Sequence, residues 1–218
     1  MNTFQSAEIR WFYRREQCDS KALYSWFLNI PGAIVIEQTT RVDYYYRLSQ
    51  SPHFGIKLRM EGGGKSETKE QIRDYGPVHY HPNLQGIAND WLKWSFVLAE
   101  PEVKAAMLKP SWLAVEKKRW QQKYKIEQDD IGQIHISSIR ANEFAPTGFS
   151  LEFTNVTIEN EKWLSISFEA HDSGSQHRNK LDLGVQYILG FGEPPVFELA
   201  DSMSYYGWLS NQCQQIPQ

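Results

Sequence analysis

Residues 55–61, Gly-Ile-Lys-Leu-Arg-Met-Glu, alternate charge and hydrocarbon position by position, as a strand with two unlike faces does. The same alternation recurs elsewhere. Over residues 7–14, Glu8, Arg10, Phe12 and Arg14 share one face against Ala7, Ile9, Trp11 and Tyr13. Over 41–48, Asp43, Tyr45 and Arg47 oppose Val42, Tyr44, Tyr46 and Leu48, and over 164–171, Ser165, Ser167, Glu169 and His171 oppose Leu164, Ile166, Phe168 and Ala170. A charged strand face either looks into water or lines a wet cavity inside a barrel whose apolar face is covered from outside.

Between these strands the reading is less regular. Asp19 or Ser20 caps a short helix through Leu23, Trp26 and Phe27 that ends near Pro31-Gly32, and 33–38 is a small apolar strand. Gly62-Gly63-Gly64 breaks the chain before a polar strand at 65–75, with Lys65, Glu67, Lys69 and Gln71 on one side. The following Lys65-Ser66 does not make a phosphate loop, because the earlier glycine of that motif is missing. Residues 77–83 read as irregular, so His79 and His81 form a loop rather than a zinc pair. Ala88, Leu92, Phe96 and Val97 predict a largely helical 86–109, interrupted at Pro101, and strands follow at 112–126, 133–139, 149–158 and 163–171. The remainder holds Gly190, Gly192 and Pro194-Pro195, then an aromatic tail.

The 218 residues suit a single domain, taken here as 1–218 with a partly helical insertion at about 62–110. Eight Trp and eleven Tyr suit strands, where flat side chains cover their cross-strand neighbours. A net charge of -3 argues against a general nucleic-acid binder. Two cysteines, Cys18 and Cys213, are too few for a disulfide framework and fit a reducing compartment. With no apolar secretory leader and no run of membrane-spanning length, the expectation is a soluble, cytoplasmic protein without membrane partners.

Several segments, in this order along the chain, resemble the CYTH-like family, the triphosphate tunnel metalloenzymes. Glu8-Ile9-Arg10-Trp11-Phe12 is similar to the family's first-strand Glu-x-Glu-x-Lys. Arg41-Val42-Asp43-Tyr44-Tyr45-Tyr46 with Gly55-Ile56-Lys57-Leu58-Arg59 resembles its Asp-x-Tyr-Tyr and Gly-x-x-Leu-Arg strands. Glu116-Lys117-Lys118-Arg119-Trp120 is similar to a basic strand, and Ser165-Ile166-Ser167-Phe168-Glu169 to the strand that closes the metal site. The resemblance implies an α+β fold: an antiparallel, tunnel-like β-barrel with a few peripheral helices. It further implies binding, and metal-dependent hydrolysis, of triphosphate or a related polyanion. In that reading Lys57, Arg59, Lys117 and Arg119, supplemented by Arg10 and Arg14, hold phosphate, and Glu8 with Glu169 holds magnesium or manganese, with Glu61 or Glu152 as additions. Arg10 stands at the motif's second Glu and Phe12 at its Lys, which implies an altered polyanion specificity or a tunnel that binds without turnover. Two alternatives remain at this point: a non-catalytic polyanion-binding module of the same fold, and a calycin-like barrel with an apolar cavity for a hydrophobic small molecule.

Overall fold

The structure, a computed structural model, describes residues 2–30, 36–37, 40–60, 64–140 and 143–215. In chain order the elements begin with β1 (Asn2–Arg14), α1 (Ser20–Leu28), β2 (Ile36–Glu37), β3 (Arg41–Tyr46), β4 (Phe54–Arg59), β5 (Lys65–His81) and β6 (Leu84–Val97). They continue with α2 (Glu100–Met107), β7 (Trp112–Gln128), β8 (Ile134–Ile139), β9 (Gly148–Ile158), β10 (Glu161–His171), α3 (His177–Leu189) and α4 (Tyr205–Gln215).

Eight strands close on themselves in the order β3-β4-β5-β6-β1-β10-β9-β7, with β7 returning to β3. Every pairing is antiparallel. Closure leaves the barrel strands without a bare edge along most of their length. The short β2 and β8 extend one side of β7 beyond the stretch that β3 covers.

The two faces of β1 show how the alternation is used. Ala7, Ile9 and Trp11 are wholly buried on the outside of the barrel, in a core shared with Phe168, Leu181, Val185 and Ile188. Those last three sit at i, i+4 and i+7 of α3, an apolar stripe laid across β10 and β1. Gly184 lets α3 approach closely, since a Cβ there would lie 2.5 Å from the Phe149 ring. On the neighbouring wall α1, capped by Asp19 Oδ1 accepting from the Lys21 and Ala22 amides at 3.1 and 3.0 Å, buries Leu23 and Phe27. The buried Gln122 amide donates to Phe27 O at 2.6 Å, so one of the helix's last carbonyls is satisfied from the barrel wall.

The even-numbered residues of β1 face inward. Glu8 and Arg10 enter the bore, and Phe12 belongs to a second, interior cluster with Tyr45, Trp91, Val115, Val156, Tyr206, Trp208 and Leu209. The last three come from α4, which plugs one end of the barrel. Trp208 stacks on Phe12 with ring centroids 4.6 Å apart and planes within 1° of parallel. Gly55 makes room for this plug: a Cβ on it would lie 1.7 Å from the Tyr206 ring.

Two expectations are corrected here. The segment 86–109 is strand as far as Val97 and helical only over Glu100–Met107, so 62–110 supplies two staves of the barrel, β5 and β6, rather than an insertion beside it. Residues 77–81 are also strand. β5 absorbs Pro77 through bulges that shift its register against β6, with Gly76 at φ +68° beside one of them. The expected strand at 33–38 survives as β2, while 33–35, Gln38, Glu61, Gly62 and Gly63 lie outside the described residues. Among the described residues no helix is long and apolar enough to cross a membrane.

Candidate functional site

Cross-strand register gathers the inward side chains into one cavity of about 210 Å³. Glu8 lies opposite Glu169, Lys57 opposite Glu67, Lys69 opposite Lys93, Arg41 opposite Lys117 and Arg119 opposite Thr154. All of these line the cavity, together with Arg10, Arg59, Glu152 and Tyr45, while Tyr205 and Tyr206 of α4 form its floor. Among the described residues, eight of those lining the cavity are basic and four are carboxylates. Asp43, fully buried behind Arg41, Arg59 and Lys117, is a fifth acid, which leaves a formal excess of three basic side chains among the described residues.

The charges are organised into local groups. Asp43 Oδ1 accepts from Arg59 Nε at 3.0 Å, and its Oδ2 faces Arg41 at 3.4 Å and Lys117 at 3.5 Å. Glu67 is paired with Lys57, and Lys65 and Arg59 lie at 3.0 and 3.7 Å from it. Glu152 takes Arg119 at 3.1 Å and Arg10 at 3.4 Å. Glu8 Oε1 accepts from Arg10 Nε at 2.7 Å, and its Oε2 accepts from Lys69 Nζ at 2.9 Å. Lys69 also lies 3.5 Å from Glu169 Oε1, which accepts from Ser6 Oγ at 2.7 Å. Lys117 donates to Tyr45 OH at 2.6 Å and sits 3.8 Å from the centre of the Tyr205 ring, a cation–π contact.

Proton affinities follow from burial opposed by neighbours. Burial would raise the Glu8 carboxyl, but Arg10 and Lys69 outweigh it and hold the pKa at about 2. Glu152 is likewise held at about 2, burial being outweighed by Arg119, Arg10 and Lys117. Burial lowers Lys57 to about 8, although Asp43 and Glu67 pull it upward. Burial also drives Lys117 well below the ordinary lysine range, Asp43 opposing and Lys57 assisting. The bore therefore holds fixed anions together with cations that are costly to keep charged, a balance that favours an incoming anion.

Of the sequence-predicted phosphate residues, the structure brings Arg10, Lys57, Arg59, Lys117 and Arg119 to this one cavity. Arg14 is not among them. It lies beyond the plug, pairing with Glu161 at 3.0 Å and covering the Trp163 ring, because Phe12 and Trp208 close the bore between it and Arg10. Arg41, Lys69 and Lys93 complete the cationic lining and were not singled out from the sequence. Arg41 shares its strand's inward parity with Asp43 and Tyr45, and Lys69 falls with Glu67 on one side of the 65–75 strand, whereas Lys93 is hidden by the helical reading of its segment. The cavity also removes the calycin alternative, since an apolar ligand would have to displace water from charged walls.

Magnesium and manganese require carboxylate oxygens free to coordinate. Glu8 and Glu169 do meet, but with the Lys69 ammonium at both and with Arg10 on the remaining Glu8 oxygen. Glu152 is engaged by Arg10, Arg119 and Thr154, and Glu61 lies outside the described residues. Among the described residues no three His, Cys, Asp or Glu side chains converge to hold a metal. The expected metal ligands are thus present as a pair, yet the donor set does not fit a divalent ion, because protein cations already occupy it.

No protein-family model and no curated protein matches the chain. Among solved structures it is similar to a conserved hypothetical protein from Pyrococcus furiosus, at 12% identity over 92% of this chain and 98% of that one, with a TM-score of 0.44. A protein from Pyrococcus horikoshii is similar at 9% identity, covering 95% and 99% of the two chains with a TM-score of 0.45. The chain is also similar to the RNA triphosphatase Pct1 of S. pombe, at 10% identity over 98% of this chain and 81% of that one, with a TM-score of 0.42.

Proposed function

We propose that the protein binds a compact polyanion of the triphosphate class inside the barrel, as a non-catalytic module. The observation that carries this reading is the cavity lined, among the described residues, by eight basic side chains and four carboxylates within a closed sheet. Buried charge without a partner is costly, so the cationic excess is a standing penalty that a bound polyanion relieves. Arg59, Arg119 and Arg41 offer forked donors for pairs of phosphate oxygens, and Lys57, Lys93 and Lys117 offer point charges. The resemblance of the Lys57-Leu58-Arg59 strand to the triphosphate tunnel pattern agrees with this choice of ligand. Binding without turnover is preferred because Arg10 and Lys69 occupy the carboxylates that a catalytic metal would need.

Tripolyphosphate, added at constant ionic strength to about 100-fold above its Kd, is expected to raise the melting temperature by roughly 5–10 °C. No shift with tripolyphosphate, pyrophosphate or a more highly phosphorylated anion sinks the proposal. Release of orthophosphate from tripolyphosphate, with or without added magnesium, would replace the binding module by an enzyme.

A second expectation concerns pH. Lys57 faces Glu67, Asp43 and Arg59, and its pKa of about 8 lies below the ordinary 10.5, so near pH 8 part of the population is neutral. A polyanion favours the charged form, so binding near pH 8 takes up protons, and affinity declines as pH rises through that value. The opposite sign holds for the empty protein: between pH 8 and 10.5 the unfolded chain carries more protons at this position, so stability gains as pH rises across that window. Titration calorimetry in buffers of different ionisation enthalpy measures the uptake. Lys57→Met should reduce it, leaving the share taken up by Lys117 and Lys93, and weaken binding about tenfold. Equal affinity at pH 7 and pH 9 in the wild-type protein contradicts the assignment of Lys57 to the anion.

A further inference from the structure

We infer that Lys69 stands in the place of a divalent ion, so that the cavity takes its polyanion bare rather than as a metal chelate. This deepens the proposed function and rests on it for the identity of the ligand, whereas the exclusion of metal stands on its own geometry. Glu8 and Glu169 are opposite each other on β1 and β10, with their carboxylates reaching the same point of the bore. The Lys69 ammonium is 2.9 Å from Glu8 Oε2 and 3.5 Å from Glu169 Oε1. Arg10 Nε is 2.7 Å from the other Glu8 oxygen, and Ser6 Oγ donates to Glu169 Oε1 at 2.7 Å. Three of the four carboxylate oxygens therefore accept from a protein donor.

The lysine is held from its other side as well. Its ammonium lies 5.3 Å from the centre of the buried Trp91 ring, in a cation–π contact. Lys93 stands directly across from it in the β5–β6 ladder, so a divalent ion arriving at the carboxylate pair would meet two ammonium groups. A magnesium ion bridging carboxylates to phosphate supplies positive charge and fixes the phosphate oxygens. Lys69 supplies one unit of positive charge at that position permanently, with N–H donors in place of coordination bonds. The ligand that fits is a free polyphosphate or a similar dense anion. A magnesium-chelated one brings its ion against Lys69 and is disfavoured.

The test uses the full chain with manganese alone, and separately with tripolyphosphate. In the wild-type protein, the electron paramagnetic resonance signal of free manganese is expected to be undiminished by an equimolar amount of protein. Tripolyphosphate affinity should be the same with excess EDTA as without it. Lys69→Met exposes the carboxylate pair: manganese should now bind, and Glu169→Gln added to Lys69→Met should abolish that binding. The same Lys69→Met protein should lose about tenfold or more in metal-free tripolyphosphate affinity, and manganese should restore part of it. Manganese binding to the wild-type protein, or loss of tripolyphosphate binding in EDTA, overturns the inference. A folded Lys69→Met protein with no gain in manganese affinity overturns it too. Should that variant fail to fold, the two wild-type measurements decide. If tripolyphosphate binds under neither condition, the polyanion reading fails, while the manganese titration still decides whether the lysine excludes metal.

Discussion

Asp43→Asn is expected to cost about 3–5 kcal/mol of stability, a fall in melting temperature on the order of 10 °C for a chain of this length. The carboxylate is fully buried and contacts Arg41, Arg59 and Lys117. Burial alone would raise its pKa, but Lys117 first, then Lys57, Arg41 and Arg59, drive it far below the ordinary 3.8. The substitution keeps an oxygen for Arg59 and removes the charge, so the loss reports electrostatics rather than shape. Thermal melts with and without tripolyphosphate provide the check, and the anion should stabilise the Asp43→Asn protein more than the wild type because it faces more uncompensated cations. A loss below about 1 kcal/mol would show that the cations need no such counter-ion. The same logic predicts acid lability. With Asp43, Glu67, Glu8 and Glu152 all depressed in the folded state, the unfolded chain takes up protons first, and stability falls as pH drops from about 4.5 toward 2.

What made much of this bore legible in the sequence was the contrast between its two sides. On β1, β4 and β10 the outward residues are hydrocarbon because helices or neighbouring elements cover them, and most inward ones are polar because the cavity is wet, so parity alone sorts Glu8, Arg10, Lys57, Arg59 and Glu169. β6 lacks that contrast: its inward set includes Trp91 and its outward set includes Asp90, both buried. Ala88, Leu92 and Phe96 are spaced by four, which satisfies a helical stripe and a strand face equally, and the longer unbroken segment tips the reading toward helix. Lys93 was lost with it. For α3, Leu181, Val185 and Ile188 do carry a helical stripe, so that helix was open to a closer reading of the pattern.

The ion-pair pattern was less accessible than the lining. Parity places Lys69 in the bore, but nothing in its spacing says that the ammonium reaches across the barrel to Glu8 and Glu169, which lie 61 and 100 positions away along the chain. Closure of the barrel assigns Glu8 to Arg10 and Lys69, and Arg59 to Asp43 and Glu67. A motif read strand by strand supplies the donors and acceptors, while the shear of the closed sheet decides which of them meet.

Trp208→Ala is expected to be as damaging as the loss of Asp43, about 3–5 kcal/mol, and to open the closed end of the bore. α4 is short and carries polar residues along half its length, so its sequence announces no amphipathic helix, and what holds it is the aromatic surface it inserts between the strands. Trp208 lies flat against Phe12 and edge-on to Trp163 at 5.6 Å, and Tyr205 packs 5.5 Å away. Without the indole, Phe12 loses its stacking partner, and Tyr205 loses the packing that keeps its ring under the Lys117 ammonium. Lys117 is buried against the cavity wall beneath the plug, and burial shifts its amine toward the neutral form that acetylation needs. Mild acetylation followed by peptide mass spectrometry should therefore show Lys117 protected in the wild type and modified much faster in Trp208→Ala, whereas Trp208→Phe should retain most of the protection. If Trp208→Ala melts at the wild-type temperature and leaves Lys117 protected, α4 is an appendage, and the barrel must be closed by its own strands.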